Sequence, residues 1–536
     1  MGICLNPGAM MLRKSRASKV YVDKSMLVAR LNELINTEQA YVCVSRPRRF
    51  GKSMAANMVC AYYDRTVDGA REFAGLKVAA DPSFEAERNR YDVVRINMQD
   101  FLSSTHVVAA MLADLQETVS FELQVAYPDV RFRDLASLHK SMADVYSQSG
   151  RQFVIVIDEW DCPMREMQGD HASQESYLDF LLLWLKDKPY VALCYMTGIL
   201  PIKKYGTHSA LNMFDEYSMV GAGDLAPFVG FTEAEVRSLC DAWGRDFETC
   251  RAWYDGYRVP GSEGLVVEAY NPRAIVGAMI SGNFMSYWNQ TESYVALQRY
   301  VDLDMDGLHE RIVALLAGGG VAVQPGMYTN DMAEPRSADD VLILLVHLGY
   351  LTFEWTDELH GRVFVPNREV MGEFADSMRR GTGWHEVLRS IEASDTLLKA
   401  LVVGDAGAVA EGVQLAHEDA SSILKYNDEN SLACTLRLAF FSLVGRWRLV
   451  REAPAGKGFA DMTLIPLRGA PAGTPGVVIE LKYGGTPGDA LAQIRERGYD
   501  RALEGLARKG EVILCGIAYD PKTKSHGCKI ERAVMR

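Results

Sequence analysis

The sequence has little that would hold a soft metal, close a disulfide framework or cross a membrane. Its ten cysteines are scattered without a C-x-x-C pair, and its ten histidines show no H-x-x-x-H or H-E-x-x-H spacing, so no zinc site is expected. The most apolar stretch, Val341 to Phe353, is broken by His347 and Gly349; it is too short to span a bilayer and reads as a buried strand or helix. The first residues contain no signal-like apolar run, and Asn6 stands where a myristoylation signal has Ser or Thr, so a cytoplasmic chain with no membrane partner is expected. Surplus positive charge is missing too. Against 70 Asp and Glu stand 57 Lys and Arg, a formal net charge of -13, so any contact with nucleic acid must use a local basic patch. What is present is ordinary globular material, 48% hydrophobic and 24% charged over 536 residues, enough for three or four domains at roughly 150 residues each.

Up to about residue 225, short apolar runs alternate with longer amphipathic ones, the pattern of a parallel α/β sheet with crossover helices. Tyr41 to Ser45, Val93 to Asn97, Phe153 to Ile157 and Tyr190 to Met196 are nearly all apolar, as strands covered on both faces should be. Lys52 to Tyr63, Thr105 to Ala126 and Ser173 to Leu185 read as helices. At Phe231 the pattern changes: Thr232 as N-cap with Glu235 at N3 forms a capping box, opening a region read as largely helical to about 420. An apolar helix from about Leu432 to Leu443 then precedes two strands, Asp461 to Leu467 and Val477 to Leu481, joined by a Gly/Pro-rich loop.

Two constellations carry chemistry. The first runs Ser45-Arg46-Pro47-Arg48-Arg49-Phe50-Gly51-Lys52-Ser53, a strand, a loop and a helix start. In a phosphate-binding loop, backbone N–H groups surround a phosphate, Lys reaches its oxygens and Ser binds Mg²⁺; Gly51, Lys52 and Ser53 fit, whereas Arg46 occupies the place of the first glycine. Val154 to Ile157 followed by Asp158 and Glu159 supplies what such a loop needs, a metal-side carboxylate and a base for the attacking water. Thr197 ends the next strand as a γ-phosphate sensor or as a plain turn residue, and Lys203, Lys204, Arg46, Arg48 and Arg49 are charge-stabilising or solvated cations. The second constellation is Asp461 with Glu480 and Lys482. Alternation along a strand puts Glu480 and Lys482 on one face, and a hairpin brings Asp461 beside them, giving either a metal-dependent phosphodiester-cleaving site or a cross-strand salt bridge.

The order of these motifs, from Val20-Tyr21-Val22-Asp23-Lys24-Ser25 through the loop and Ile157-Asp158-Glu159-Trp160-Asp161 to Trp253-Tyr254-Asp255-Gly256-Tyr257, Tyr270-Asn271-Pro272, Tyr287-Trp288 and Leu348-Gly349-Tyr350, resembles a bacterial and archaeal family of AAA-ATPase-like proteins fused to a PD-(D/E)XK nuclease-like domain. The resemblance implies a P-loop NTPase core at 1–225, a helical lid and linker, winged-helix-like or not, at 226–420, and an α/β restriction-endonuclease-like domain at 421–536. It implies ATP and Mg²⁺ as cofactors, with Arg48, Arg49, Phe50, Gly51, Lys52, Ser53, Asp158 and Thr197 around the nucleotide and Glu159 as base. In the last domain it assigns metal binding to Asp461 and Glu480, charge stabilisation to Lys482 and supporting roles to Glu429 and Gln493. The function expected from this is ATP hydrolysis with Mg²⁺-dependent cleavage of DNA or RNA; the alternative is a nucleotide-dependent switch whose nuclease-like domain binds nucleic acid or protein without cutting. The middle aromatics, Trp253, Tyr254 and Tyr257, either stack on bases or pack, and Arg251 and Arg258 are candidate in-trans arginines if the chain assembles with itself.

Overall fold

The computed structural model describes residues 2–202, 211–288, 300, 303, 305, 307–316, 319–328, 335–380, 396–421, 447–455, 458–466, 474–497 and 511–534. Its contacts gather into two compact units: Met1–Leu239 with Gly256–Asn283 and Val323–Val363, and Cys240–Asp255 with Phe284–Ala322 and Phe364–Arg536.

In the first unit, β1 (Tyr41–Ser45), β2 (Asp92–Asn97), β3 (Phe153–Asp158), β4 (Val191–Gly198) and β5 (Asp215–Tyr217) form an all-parallel sheet of order β2-β3-β4-β1-β5. β3 and β4 are buried at every position, which explains why they carry no polar alternation. Helices α1 (Lys52–Tyr63), α2 (Val108–Ala126), α3 (Leu138–Ser149) and α4 (His171–Leu185) cross over between them; α1, α2 and α4 lie close to the bounds that the apolar periodicity suggests. The strand order matters for chemistry. It puts β4 between β1 and β3, and because all strands run the same way, the loops after β1, β3 and β4 emerge along one edge of the sheet.

Beyond the sheet, the capping box is formed as expected: Thr232 N donates to Glu235 Oε2 at 2.8 Å and Glu235 N donates to Thr232 Oγ1 at 3.4 Å. The region read as largely helical also holds two three-stranded sheets, β6 (Phe231–Thr232), β7 (Tyr257–Pro260) and β8 (Val266–Tyr270) in the order β6-β8-β7, and β9 (Val321–Val323), β10 (Thr352–Trp355) and β11 (Gly361–Phe364) in the order β10-β11-β9. Helix α5 (Pro272–Ser281) follows β8 with Asn271 as N-cap, and α6 (Ala338–Leu348) is the buried apolar run flagged in the sequence, continuing into β10.

In the second unit, β12 (Trp447–Ala455), β13 (Gly458–Pro466), β14 (Gly476–Tyr483), β15 (Glu511–Asp520) and β16 (Ser525–Val534) form a mixed sheet in sequence order, antiparallel except for the β14–β15 pair. A parallel pair needs a crossover, and α8 (Pro487–Arg497) supplies it. Met462, Leu464, Val477, Ile479, Ile513 and Ile517 point to one face, where α7 (Ala406–Ser421) covers them with Val409 and Val413. The opposite face receives α8, with Ala490, Leu491 and Ile494 buried. Glu429 and the helix expected over 432–443 lie outside the described residues.

Candidate functional site

The loop after β1 turns on two left-handed residues, Arg49 (φ 67°) and Gly51 (φ 92°), before α1 begins. A β-carbon on Gly51 would meet nothing within 4 Å, so glycine is needed there for the backbone conformation, and the space in front of it stays open. Lys52 is buried and donates from Nζ to the carbonyl oxygens of Arg46 and Pro47, both at 2.9 Å. Burial pulls its ammonium below the usual lysine value, while Glu159, Asp161 and Asp158 hold it back. Ser53, Arg48 and Arg49 are exposed. Phe50 is buried edge-on against Tyr257, ring centroids 5.2 Å apart, so its contribution to the loop is backbone.

Arg46 takes a different position from the other loop cations. It is fully buried, and its Nη1 donates to the carbonyls of Ser45 and of Tyr217 on β5, both at 2.9 Å, tying the loop to the neighbouring strand from behind. Burial pulls the guanidinium down to about 10.

At the end of β3, Asp158 is buried and accepts a hydrogen bond from Thr197 Oγ1 on β4, so the structure brings the proposed metal-side carboxylate and sensor together. Glu159 sits in the left-handed region (φ 53°), and Arg165 grips it: Nη2 lies 2.5 Å from Glu159 Oε2 and Nε 3.1 Å from Asp161 Oδ2. Asp161 Oδ2 also accepts the backbone N–H groups of Ile199 at 3.0 Å and Leu200 at 2.8 Å, which fastens the end of β3 to the end of β4. Burial raises the Glu159 carboxyl above its usual value, against the opposing pull of Lys52 and Arg165. Asp161 and Arg165 were given no role in the sequence reading, although their i, i+4 spacing after the acidic strand end was visible.

Beside Gly51 lies a cavity of about 250 Å³ lined mostly by apolar groups, among them Tyr21, Val22, Met54 and Phe228, with Arg49 and Arg273 at its polar side. Burial, then Arg273 and Arg48, pull the Arg49 guanidinium down, as a cluster of like charges does. Arg273 opens α5 and was also missed; its signal was Tyr270-Asn271-Pro272, an N-cap followed by a proline at N1. Arg251 and Arg258 are engaged elsewhere, with Asp255 at 3.0 Å and Glu354 at 2.7 Å. Lys203 and Lys204 lie outside the described residues. The middle aromatics pack: Tyr257 donates to the Gly349 carbonyl at 2.8 Å, Tyr254 to that of Met285 at 2.8 Å, and Arg368 stacks on Trp253 at 3.8 Å.

In the second unit, the β13–β14 register sets Asp461 next to Glu480: Asp461 Oδ2 accepts Leu481 N at 2.8 Å, and Glu480 Oε2 accepts Asp461 N at 3.5 Å. Gln493 on α8 donates to Glu480 Oε1, and Lys482, half-buried, shares the face of Glu480. Burial first, then the charge of Asp461, push the Glu480 carboxyl up to about 7. Gly516 on β15 is what lets α8 come close enough for this contact, because a β-carbon there would lie 2.3 Å from the Pro487 carbonyl oxygen. Asp461 and Glu480 offer hard oxygen donors of the kind Mg²⁺ takes, and among the described residues no group of three or more His, Cys, Asp or Glu gathers as a richer metal cluster.

Residues 12–207 match the family model of a predicted AAA-ATPase, and residues 427–528 match that of the PD-(D/E)XK nuclease superfamily, so the chain joins a domain of each kind. No curated protein matches it. Among solved structures, the Aeropyrum pernix ORC1 protein in complex with DNA aligns with 70% of this chain and 98% of that chain, at 10% identity and a TM-score of 0.29.

Proposed function

We propose that this fusion of an AAA-ATPase-like domain with a PD-(D/E)XK nuclease-superfamily domain hydrolyses ATP at the loop after β1 and cleaves nucleic acid at Asp461, Glu480 and Lys482, with domains running 1–225, 226–420 and 421–536. The observation that carries the reading is the pairing of Asp461 with Glu480, two carboxylates held side by side with Gln493 on one of them.

At the first site, the Lys52 ammonium exchanges the Arg46 and Pro47 carbonyls for phosphate oxygens, and the N–H groups around Gly51 line the phosphate. The cavity lined by Tyr21, Val22 and Phe228 takes the base, and Arg49 and Arg273 offset phosphate charge. Ser53 and Asp158 would hold Mg²⁺, Thr197 orients Asp158, and Glu159 positions the attacking water. At the second site, Asp461 and Glu480 would hold Mg²⁺ and Lys482 faces the charge that grows on the phosphate. Mg²⁺, when bound at either site, supplies charge neutralisation and an acidified water. The switch reading draws on one specific contact, the grip of Arg165 on Glu159, which occupies the base.

The test is cleavage of labelled single- and double-stranded DNA and RNA with Mg²⁺ or Mn²⁺, with and without ATP, comparing the natural chain with Asp461→Asn and Lys52→Ala. Metal-dependent cutting that falls more than about a hundredfold in Asp461→Asn is the expected result. ATP binding without cutting under any condition would sink the nuclease reading and leave the switch.

A further inference from the structure

A groove of about 750 Å³ lies at the edge of the first unit's sheet where β3 and β4 begin, the edge opposite the loop after β1. Its walls come from the segment entering α3, from α3 itself and from Lys188–Tyr190. Four of its lining residues can carry positive charge, Arg131, Arg133, His139 and Lys188, and its single carboxylate is Asp144. In a chain with a net charge of -13 this is a local reversal of sign.

The backbone of Arg131 and Arg133 is fastened to α3. Gln148 on α3 takes both polar groups of Arg131, accepting its N–H at 3.0 Å and donating to its carbonyl at 3.0 Å. Asp144 is spent on Arg133, accepting its N–H at 2.8 Å and its Nε at 2.6 Å. The segment is therefore pinned to α3 by hydrogen bonds that use no part of the Arg131 side chain. Among the described residues, no carboxylate oxygen lies within 4.0 Å of a side-chain nitrogen of Arg131 or Lys188. The crowding of charge is felt at His139, whose imidazole is lowered by burial first and then by Lys188, Lys140 and Arg133. Tyr146 on α3 adds an aromatic ring to the wall.

We infer that this groove binds the phosphate backbone of a nucleic acid strand, an inference that rests on the reading of the chain as one acting on nucleic acid. Arg131 and Arg133 on the segment before α3 and Lys188 on a second segment set fixed charges along the groove, a track for a repeated charge, whereas one phosphate ion is held by donors converging on a point. The pinned backbone lowers the ordering cost of binding. A ring beside the track suits stacking of an unpaired base.

The experiment is fluorescence anisotropy of a fluorescein-labelled 30-mer, single-stranded and as duplex, with the full chain in EDTA over a series of salt concentrations. Arg131→Gln/Lys188→Gln is compared with Arg71→Gln/Lys77→Gln, two exposed cations elsewhere on the same unit. The groove variant should bind the single strand about tenfold more weakly, with a slope of log affinity against log salt shallower by about 1.4, and the control should match the natural chain. Equal affinity and slope in the groove variant, with the oligonucleotide still bound, overturns the groove and spares the nucleic-acid reading. No binding by the natural chain overturns both. Calorimetry with inorganic phosphate and with polyglutamate identifies other anions: a variant that loses either of these while keeping the oligonucleotide also overturns the proposal.

Discussion

The two candidate sites solve the same electrostatic problem in opposite ways. At the end of β3, Glu159 and Asp161 are set beside Arg165, with Lys52 close enough to shift their balance, so the carboxylates are matched by cations from their own fold. On β13 and β14, Asp461 and Glu480 face each other, with the amide of Gln493 and a half-buried Lys482 as relief, and Glu480 rises to about 7. The first arrangement carries its own counter-charge; the second is short of it. The contrast separates carboxylates that the fold neutralises itself from carboxylates that it leaves short of counter-charge.

Three changes break or sharpen that contrast. The largest effect is expected at the self-sufficient site: Arg165→Met leaves Glu159 and Asp161 without their cation and should cost about 3–5 kcal/mol in urea denaturation followed by tryptophan fluorescence. A loss below about 1 kcal/mol would mean that the carboxylates do not depend on Arg165. Next comes Glu480. Because its folded value is raised to about 7, its contribution to stability is fully present below the ordinary carboxylate value and is lost as pH climbs through about 7. Without metal, the natural chain should therefore lose on the order of 2–3 kcal/mol relative to Glu480→Gln between pH 4.5 and 7.5, and Mg²⁺ or Mn²⁺ affinity by calorimetry should rise over the same window. Parallel stability curves for the two proteins would show that Glu480 does not titrate there. The smallest effect belongs to Gly516→Ala, whose methyl group pushes α8 outward at about 1–2 kcal/mol and takes Gln493 from Glu480. Unchanged melting and unchanged cleavage would remove Gly516 from any role in positioning that helix.

The features readable from sequence are those that local pattern determines. Apolar runs covered on both faces gave β1 to β4, the capping box gave the turn at Thr232, and strand alternation put Glu480 and Lys482 on one face. Two kinds of feature were not readable. The short strands at 231–232, 257–260 and 321–323 hold too few residues for a period of two to stand out. The partners of the candidate site residues come from far along the chain: Arg273 reaches the cavity beside Gly51 only because α5 folds beside the loop, and the bonds from Asp161 to Ile199 and Leu200 exist only because β4 lies against β3. Arg46 shows the same limit, since its burial depends on β5 presenting Tyr217.

The place of β1 in its sheet also orders events during synthesis. Among the described residues its partners are β4 and β5, Val191–Gly198 and Asp215–Tyr217, whereas β2 and β3 can pair as soon as both have been made. On a growing chain Tyr41–Ser45 therefore has both hydrogen-bonding edges open until those later segments have left the ribosome, and the loop that would hold phosphate is among the last parts of its sheet to be fixed, although it is encoded near the start.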